Sequence, residues 1–368
     1  MIQINDKKDC CGCGACEQRC PQHCISLQPD EQGFLYPIVN ENVCVNCKIC
    51  EKVCPTINTK NKNEPLATFA VINPNEEIRI KSSSGGVFSM LAEKTIKQGG
   101  VIFGARFDEN WDVIHDYAET IDGIDDFRGS KYVQSLIGDN YRKAEMFLKQ
   151  GRIVLFSGTP CQIAGLKKYL MRDYENLFSI EVACHGVPSS KVWKSYLQGK
   201  DVAEVNFRDK STGWKDYSVK IGNKKKRHEF NDYMNCFLAN FSLRPSCFNC
   251  QAKCGKSMAD ITIADFWGIS QMAPELDDDK GTSAVIVWSH KGLQNIKRLA
   301  VSTKEIDFVS LSKYNPAIVD STQKPALYKH FWEEFSIAPK KSIRRFATYN
   351  RPSLLVQMKS TIYRIIHS

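Results

Sequence analysis

The apolar and polar positions of the central chain predict strands and helices in alternation. Apolar runs at residues 67–72, 100–105 and 152–156 have the length and composition of buried strands. The stretch 87–97 spaces its apolar residues at helical intervals, and a second helix is expected to include residues 164–170. Strands that alternate with helices indicate an α/β arrangement. We therefore expect a mixed α/β body within an overall α+β fold class.

The composition fits a folded chain with more than one domain. Of its 368 residues, 42% are hydrophobic and 25% are charged, which excludes a disordered chain and a collagen-like repeat. No apolar run approaches the roughly 20 residues that span a bilayer, and the first residues lack the apolar core of a signal peptide. We therefore expect a cytoplasmic protein, in which the 16 cysteines bind metal rather than form disulfides.

The net charge of +9 is concentrated at the C-terminus. Residues 335–368 contain seven lysines and arginines and no acidic side chain, so the rest of the chain is nearly neutral. That distribution provides no basic groove for nucleic acid, and no nucleic-acid partner is expected. A second basic run, Lys224–Arg227, lies between alternating stretches at 217–221 and 228–230. It is predicted to be the solvated tip of a hairpin.

The basic C-terminal region contains a candidate helix. Ser353, after Pro352, can cap a helix whose apolar residues share one broad face. A basic amphipathic helix of this kind could contact an anionic membrane surface or a partner. We favour the alternative, in which the helix packs on the body of the protein.

The first 54 residues hold ten cysteines, eight of them in two regular runs. Cys10 begins a C-x2-C-x2-C-x3-C-P run, and Cys44 begins a second run of the same spacing 34 residues later. The two runs resemble those of bacterial two-cluster ferredoxins. A zinc site also uses C-x2-C pairs, but it does not need two interlocked runs that end in proline. The resemblance implies two [4Fe–4S] clusters, one on Cys10, Cys13, Cys16 and Cys54 and the other on Cys44, Cys47, Cys50 and Cys20.

Two turns in the body have the character of anion sites. Ser82–Gly86 and Gly158–Gln162 each follow a predicted strand and precede a predicted helix. Free backbone N–H groups and the helix dipole favour phosphate at such a position. An ordinary serine helix cap is the alternative for the first turn.

Further motifs follow one another in an order that resembles a known family. Together with the two turns, the motifs are Arg128–Ser135, Cys184–Ser189, Phe207–Trp214, Arg244–Cys250 and Ala259–Gly268. The series resembles the family of the beta subunit of coenzyme F420-reducing hydrogenase and dehydrogenase, over roughly residues 1–320 and including a fused ferredoxin. One departure is Ala264, which stands where glycine is expected before Asp-Phe-Trp-Gly.

The resemblance implies that the protein binds FAD. The residues that it places at the flavin or its phosphates are Ser83, Ser84, Gly85, Gly86, Lys131, Thr159 and Gln162. Lys131 could stabilise negative charge on a reduced flavin ring, and a surface ion pair is the alternative for this lysine. His185, next to Cys184, could donate a proton or make a structural hydrogen bond. Lys131 and His185 are the candidate catalytic residues.

Four cysteines within these motifs predict a third [4Fe–4S] cluster beside the flavin. Its ligands would be Cys161, Cys184, Cys247 and Cys250. The alternatives are buried thiols, or a redox-active Cys161 whose pKa is lowered at a helix N-terminus. Cys254 is a spare candidate ligand, and Cys236 is assigned to the core. Cys11 and Cys24 are expected to take no part, with Cys24 packed against a helix that starts near Pro21.

These features predict an iron–sulfur flavoprotein oxidoreductase. Clusters pass single electrons whereas a hydride carrier exchanges two, and a flavin can do either. The expected partners are a reduced ferredoxin or another redox protein, and a small hydride acceptor or donor such as coenzyme F420. The alternatives are a reductase of surface-polysaccharide biosynthesis and a non-catalytic electron-transfer subunit of a larger complex.

The same features predict the order of domains along the chain. A two-cluster ferredoxin domain is expected at residues 1–57, followed by a polar linker at 58–65. The flavin domain is expected at residues 66–320 and a basic helical region at 321–368.

Overall fold

The computed structural model describes residues 1–299 and 303–351. The predicted helix after Pro352 lies outside the described residues. The α-helices are α1 (Ala15–Arg19), α2 (Ile49–Lys52), α3 (Glu76–Lys81), α4 (Val87–Lys97), α5 (Asn140–Lys149), α6 (Pro160–Leu170), α7 (Ser190–Leu197), α8 (Asp232–Leu238), α9 (Ile269–Met272), α10 (His290–Lys297), α11 (Phe308–Tyr314), α12 (Tyr328–Ile337) and α13 (Pro339–Ala347). The strands are β1 (Ile25–Pro29), β2 (Leu35–Val39), β3 (Ala67–Val71), β4 (Val101–Phe107), β5 (Val113–Ala118), β6 (Val154–Gly158), β7 (Leu177–Val182), β8 (Val205–Asp209), β9 (Ser218–Ile221), β10 (Lys224–Arg227), β11 (Ile261–Asp265), β12 (Ser283–Val287) and β13 (Thr303–Glu305).

Eight strands form one mixed sheet in the order β13-β3-β12-β11-β7-β6-β4-β5. Strands β11, β7, β6 and β4 pair in parallel. Strand β3 runs in the same direction, because β3 and β11 are both antiparallel to β12. The carboxyl ends of these five strands therefore lie along one edge of the sheet, which we call the carboxyl edge. In open α/β sheets, ligands bind outside this edge.

Helices cover both faces of the large sheet. Successive residues of a strand point to opposite faces, so Val101 and Phe103 pack with α5 and α6 on one face. Ile102 packs with α4 and α10 on the other face. The predicted mixed α/β body is confirmed, and α4 has the predicted bounds of 87–97.

A second core, rich in aromatic residues, lies beside the large sheet. It combines β8 and β9 with α7, α8, α12 and α13, and it includes the fully buried Trp193 and Phe331. Strand β10 corrects one expectation, because Lys224–Arg227 pairs with β9 as a strand and the turn of the hairpin is at Gly222 and Asn223. The basic residues are on an exposed edge strand, where charge discourages pairing with another chain.

The N-terminal module packs directly on the body. The Gln18 side chain accepts a hydrogen bond of 3.0 Å from the backbone N of Tyr141 in α5. The Arg19 guanidinium forms an ion pair with Glu145, at 3.4 Å. Within residues 1–299 and 303–351, no helix is long and apolar enough to cross a membrane.

Candidate functional site

The two cysteine runs of the N-terminal module form loops of the same backbone shape. In the first run Gly12 and Gly14 have φ values of 69° and 77°. In the second run the equivalent residues, Asn46 and Lys48, have φ values of 51° and 59° although they carry side chains. Residues other than glycine rarely adopt this left-handed backbone conformation. Because both runs adopt it, the shape of the loop outweighs the conformational preference of Asn46 and Lys48. In each run the third cysteine lies in a short helix, α1 or α2.

The first cysteine group consists of Cys10, Cys13, Cys16 and Cys54. Burial raises the pKa of Cys16, and the neighbouring thiols of Cys10 and Cys54 raise it further. Cys13 also lies within electrostatic range of Cys16 and Cys54. The fourth cysteine of the second run thus joins the first three of the first run, as the ferredoxin pattern requires.

The second cysteine group consists of Cys20, Cys44, Cys47 and Cys50. These four residues line one cavity of about 330 Å³, partly open to solvent. Cys24 lines the same cavity, and its Sγ is 3.4 Å from the Sγ of Cys20. This corrects the expectation that Cys24 packs on a helix near Pro21, because Pro21 lies in a turn.

A larger cavity, of about 600 Å³, lies between the module and the carboxyl edge. We call it the cysteine cavity. Its lining includes all four cysteines expected to bind a third cluster, which are Cys161, Cys184, Cys247 and Cys250. Cys11 lines it as well. That Cys11 takes no part in cluster binding stays a prediction, whereas Cys254 is buried in a separate core and Cys236 is in the aromatic core as expected.

The carboxyl edge brings these cysteines together from distant parts of the chain. Cys161 is in the first turn of α6, immediately after β6, and Cys184 follows β7. Cys247 lies in a short 3-10 helix at Pro245–Asn249, and its Sγ accepts a hydrogen bond of 3.3 Å from the backbone N of Val187. Neighbouring parallel strands thus supply two of the cysteines and a packed loop supplies the rest.

Helix α6 also connects the cysteine cavity to the first cysteine group. One helical turn after Cys161, Gly165 is packed against Cys13. A Cβ atom on Gly165 would lie 2.8 Å from the Cβ of Cys13 and 2.8 Å from the Oη of Tyr141. The two cysteine sites are therefore held by consecutive turns of one helix.

The donor atoms of the three cysteine sites suit iron–sulfur clusters. Thiols are the ligands of [4Fe–4S] cubanes. No group of three or more His, Cys, Asp or Glu side chains, within residues 1–299 and 303–351, is arranged to hold a single metal ion. The neighbouring Cys11 thiol and burial raise the pKa of Cys161 well above its ordinary value, which is opposite to the lowered pKa of the redox-active alternative.

His185 lines the cysteine cavity beside Cys184. Its Nε2 atom is 2.6 Å from the Oδ1 of Asn240, so it makes the structural hydrogen bond that was the alternative to a catalytic role. Burial lowers the pKa of His185, which favours the neutral ring at pH 7. Its predicted role as a proton donor stays a prediction.

The Ser83–Gly86 turn lies at the carboxyl edge, beside the end of β3. It directly follows α3 rather than the strand expected from the sequence. Gly85 is packed so closely on the strands that a Cβ atom there would collide with the carbonyl oxygen of Val71. Gly86, with a φ of 82°, precedes α4, whose first turn has backbone N–H groups without helical acceptors. The half-buried Lys210 amine donates to the carbonyl oxygen of Ser84 at 2.7 Å and fixes the turn. Sequence reasoning missed Lys210, which lies within the Phe207–Trp214 motif.

The other predicted flavin residues are connected to this turn through the segment 128–135. At one end, the Oγ of Ser83 is 2.8 Å from the Oγ of Ser130. At the other end, Gln162 donates to the Oγ of Ser135 at 3.1 Å and forms a capping box with Thr159. Between them, Lys131 donates to the carbonyl oxygens of Asp126 and Arg128, each at 2.8 Å, rather than to a carboxylate. Burial lowers the pKa of Lys131 to about 7.

Glu181, near the end of β7, predicts a pH dependence of stability. Burial raises the pKa of Glu181 to about 7. The hydrogen bonds that its carboxylate accepts from Ser257 and Thr262 lower the pKa, but by less than burial raises it. The native carboxyl thus keeps its proton between pH 4.5 and 7, where that of the unfolded chain has lost it. The resulting stabilisation is complete below pH 4.5 and is lost as the pH rises to about 7, by about 1.4 kcal/mol per unit.

We therefore expect Glu181→Gln to gain about 3 kcal/mol relative to the wild type between pH 5 and pH 7.5. Urea denaturation of the anaerobic protein at both pH values measures this difference. The matched control is Glu77→Gln, at an exposed glutamate in α3. Parallel pH curves for Glu181→Gln and the wild type would contradict the prediction.

The fold and the cysteine sites together define an iron–sulfur protein with a ferredoxin-like module on a mixed α/β body. Residues 151–313 match the family described as the C terminus of the coenzyme F420 hydrogenase/dehydrogenase beta subunit. Residues 9–58 match the 4Fe-4S dicluster domain. The chain therefore carries a domain of the coenzyme F420 hydrogenase/dehydrogenase beta-subunit type behind an N-terminal 4Fe–4S dicluster domain. The resemblance found in the sequence motifs is thereby confirmed.

Individual relatives agree with this assignment. The chain is 25% identical to a subunit of the F(420)H(2) dehydrogenase of Methanosarcina mazei, over 54% of its own length and 60% of that protein. It is 28% identical to a coenzyme F420-dependent sulfite reductase of Methanocaldococcus jannaschii over 54% of its own length and 31% of that protein. An uncharacterised ferredoxin of the same organism is 42% identical over 14% of this chain and 68% of the ferredoxin. The chain thus spans less than two thirds of the first two relatives, whose names are those of oxidoreductases.

Proposed function

We propose that this protein is a flavin-dependent iron–sulfur oxidoreductase that passes electrons between a ferredoxin-type donor and a small hydride acceptor or donor. The F420-dependent names of two relatives support coenzyme F420, or a related deazaflavin, as that small molecule. In this proposal, residues 1–57 form the ferredoxin domain, residues 58–65 the linker and residues 66–320 the flavin domain.

The convergence of cysteines at the cysteine cavity carries the proposal. Cys161, Cys184, Cys247 and Cys250 would hold a third [4Fe–4S] cluster there, between the first cysteine group and the carboxyl edge. Burial raises the pKa of Cys184 and Cys247, so these thiols would ionise only beside a compensating cation such as cluster iron. Helix α6 would fix the separation between this cluster and the one held by Cys13.

The carboxyl edge would hold FAD. Bound there, FAD would supply the exchange between single electrons and hydride pairs. The chain's own contribution would be to bind and orient it. The turn at Ser83–Gly86 and the N-terminus of α4 offer backbone N–H groups to the diphosphate. The segment that carries Lys131 lies beside that turn, within hydrogen-bonding distance through Ser130.

The second cysteine group would face the electron-donating partner. Cys47 is exposed, whereas Cys13 and Cys16 of the first group are buried. Val43 and Val45, in the same loop, are also exposed. A surface of this kind suits brief contact with a redox protein, because it places the cluster ligands close to the partner.

Cofactor analysis of one anaerobic preparation tests the proposal. We expect about twelve iron and twelve sulfide per chain, from three cubanes, and about one FAD. An iron content near eight atoms per chain would show that only two clusters form and would contradict the proposed third cluster. The absence of flavin would instead favour the non-catalytic electron-transfer subunit, which the name of one relative supports as the second candidate.

A second measurement identifies the small molecule. Reduced protein is mixed with an oxidised deazaflavin and, separately, with NAD, and each reaction is followed by absorbance. Reduction of the deazaflavin alone supports the F420-type proposal. Reduction of neither, with the full cofactor content, would favour another substrate, including a precursor of surface polysaccharide.

A further inference from the structure

Arg244 is a fully buried cation at the junction of the N-terminal module and the body, with 0% of its surface exposed. Its Nε donates to the carbonyl oxygen of Cys10 at 2.8 Å, and its Nη2 donates to that of Leu35 at 2.8 Å. Nη2 is also 3.7 Å from the Sγ of Cys10, in the first cysteine group. The same arginine immediately precedes the short helix that carries Cys247.

The hydrogen-bond partners of this guanidinium, within residues 1–299 and 303–351, are all neutral. Besides the two carbonyls and the thiol, Nη1 is 3.4 Å from the Oε1 of Gln134. The ring of Tyr36 covers one side at 4.3 Å from the guanidinium carbon. Arginine does not lose its proton in proteins. A buried charge of this kind is costly unless another charge balances it.

The cysteines on either side are the groups that can balance this charge. On one side, the Sγ of Cys10 lies 3.7 Å from Nη2. On the other side, the backbone N of Cys247, which lines the cysteine cavity, donates to the carbonyl oxygen of Arg244 at 2.9 Å. Arg244 is therefore within electrostatic range of both cysteine sites.

We propose that Arg244 is the shared counter-charge of the first cysteine group and the cysteine cavity, and that it raises the reduction potential of the cluster at each. The part that concerns the cysteine cavity rests on the proposed function, whereas the first group belongs to the 4Fe–4S dicluster domain. A cubane on four thiolates carries a charge of roughly −2 when oxidised, and one added electron makes it more negative. A fixed cation nearby stabilises the reduced form more than the oxidised form.

Gly12 allows the loop of the first cysteine run to approach the Arg244 guanidinium closely. A Cβ atom on Gly12 would lie 2.8 Å from the Nη1 of Arg244 and 3.0 Å from the Nε2 of Gln134. The backbone of the first cysteine run therefore closes directly on the guanidinium. This packing also suggests a purely structural role for Arg244, which a redox measurement distinguishes from the proposal.

Two substitutions abolish the net positive charge at this position, one by removing the arginine and the other by adding a carboxylate beside it. Arg244→Gln removes it directly. Gln134→Glu keeps the arginine with its carbonyl contacts and supplies a carboxylate where the amide oxygen now lies, 3.4 Å from Nη1. The control is Arg106→Gln, which removes a cation that is paired with Asp116 on the outer strands of the large sheet.

The measurement is a redox titration of the anaerobic full chain with dithionite, followed by electron paramagnetic resonance, together with an iron count. Each reduction adds one electron to a cluster and makes or breaks no bond. We expect both charge-removing variants to lower the equilibrium constant for reduction of the first cluster at least tenfold, which equals about 59 mV for one electron. Arg106→Gln should keep the wild-type potential.

Each outcome of this titration decides the proposal. Wild-type potentials with full iron in Arg244→Gln and Gln134→Glu would overturn it. If Arg244→Gln loses iron, Gln134→Glu decides alone, and iron loss in that variant as well would show a role in cluster retention and overturn the proposed tuning. Iron near eight per chain in the wild type would contradict the proposed third cluster and leave the first-group measurement valid.

Discussion

Cys247→Ala is expected to contain about eight iron atoms per chain instead of about twelve. Cys247 lines the cysteine cavity with three other predicted ligands, and its loss would leave a fourth iron without a thiolate. We expect electron transfer from reduced ferredoxin to the hydride acceptor to fall roughly a hundredfold or more, since an emptied cavity would separate the N-terminal module from the carboxyl edge. Iron analysis and steady-state reduction of the acceptor measure the two effects.

The matched control for this experiment is Cys236→Ala. Cys236 is fully buried in the aromatic core, away from the cysteine cavity, so this variant should keep its iron and its activity. Because Cys11 lines the same cavity, it is a candidate replacement ligand. The double variant Cys11→Ala/Cys247→Ala excludes such rescue. Twelve iron atoms in the double variant would refute the assignment of Cys247.

Gly165→Val is expected to detach the first cysteine loop from helix α6. A Cβ atom at this position would lie 2.8 Å from both the Cβ of Cys13 and the Oη of Tyr141. Tyr141 is fully buried and donates a hydrogen bond of 2.8 Å to the carbonyl oxygen of Gln162, so it has little freedom to move. We expect a loss of about 3 kcal/mol in stability, together with partial loss of iron from the first cysteine group.

Lys168→Val is the control for helix propensity. It introduces the same valine into α6 without the contact with Cys13. Lys168 is on the partly exposed side of α6, where valine costs at most about 0.7 kcal/mol. Gly165→Ala should fall between the two valine variants, because it introduces the collision with the smallest side chain. Urea denaturation and iron analysis of the three variants give the order. Equal stability for Gly165→Val and Lys168→Val would show that the helix and the loop can move apart freely.

Several local features could be predicted because neighbouring residues decide them. The bounds of α4 follow from its apolar spacing, and the two C-x2-C-x2-C-x3-C-P runs determine two loops of one shape. Lys224–Arg227 shows the limit of this reasoning. A run of four basic residues favours a solvated turn by composition alone, yet Gly222 and Asn223 suit the turn better, and the lysines extend along an edge strand.

The role of a single residue outside a motif could not be predicted in this way. Cys11 and Cys24 fall outside the spacing rule, and their sequence neighbours gave no reason to include them. Cys11 nevertheless lines the cysteine cavity, and Cys24 lines the cavity of the second cysteine group. A loop that wraps a cluster site also carries its intervening side chains towards that site. Arg244 does belong to a motif, but its role could not be predicted either, since only the packing of two modules makes its charge a buried one.

The sequence by itself determined the ferredoxin-type cysteine runs, the alternating elements of the body and the family resemblance. These properties depend on spacing between residues that are close along the chain, where covalent geometry sets the distances. The motifs predicted Cys161, Cys184, Cys247 and Cys250 as one set, but only the tertiary structure places them around one cavity. It alone decided that Gly165 and Arg244 join this cavity to the first cysteine group. Those contacts depend on parallel strands ending at a common edge and on the packing of one module on another, which no local spacing encodes.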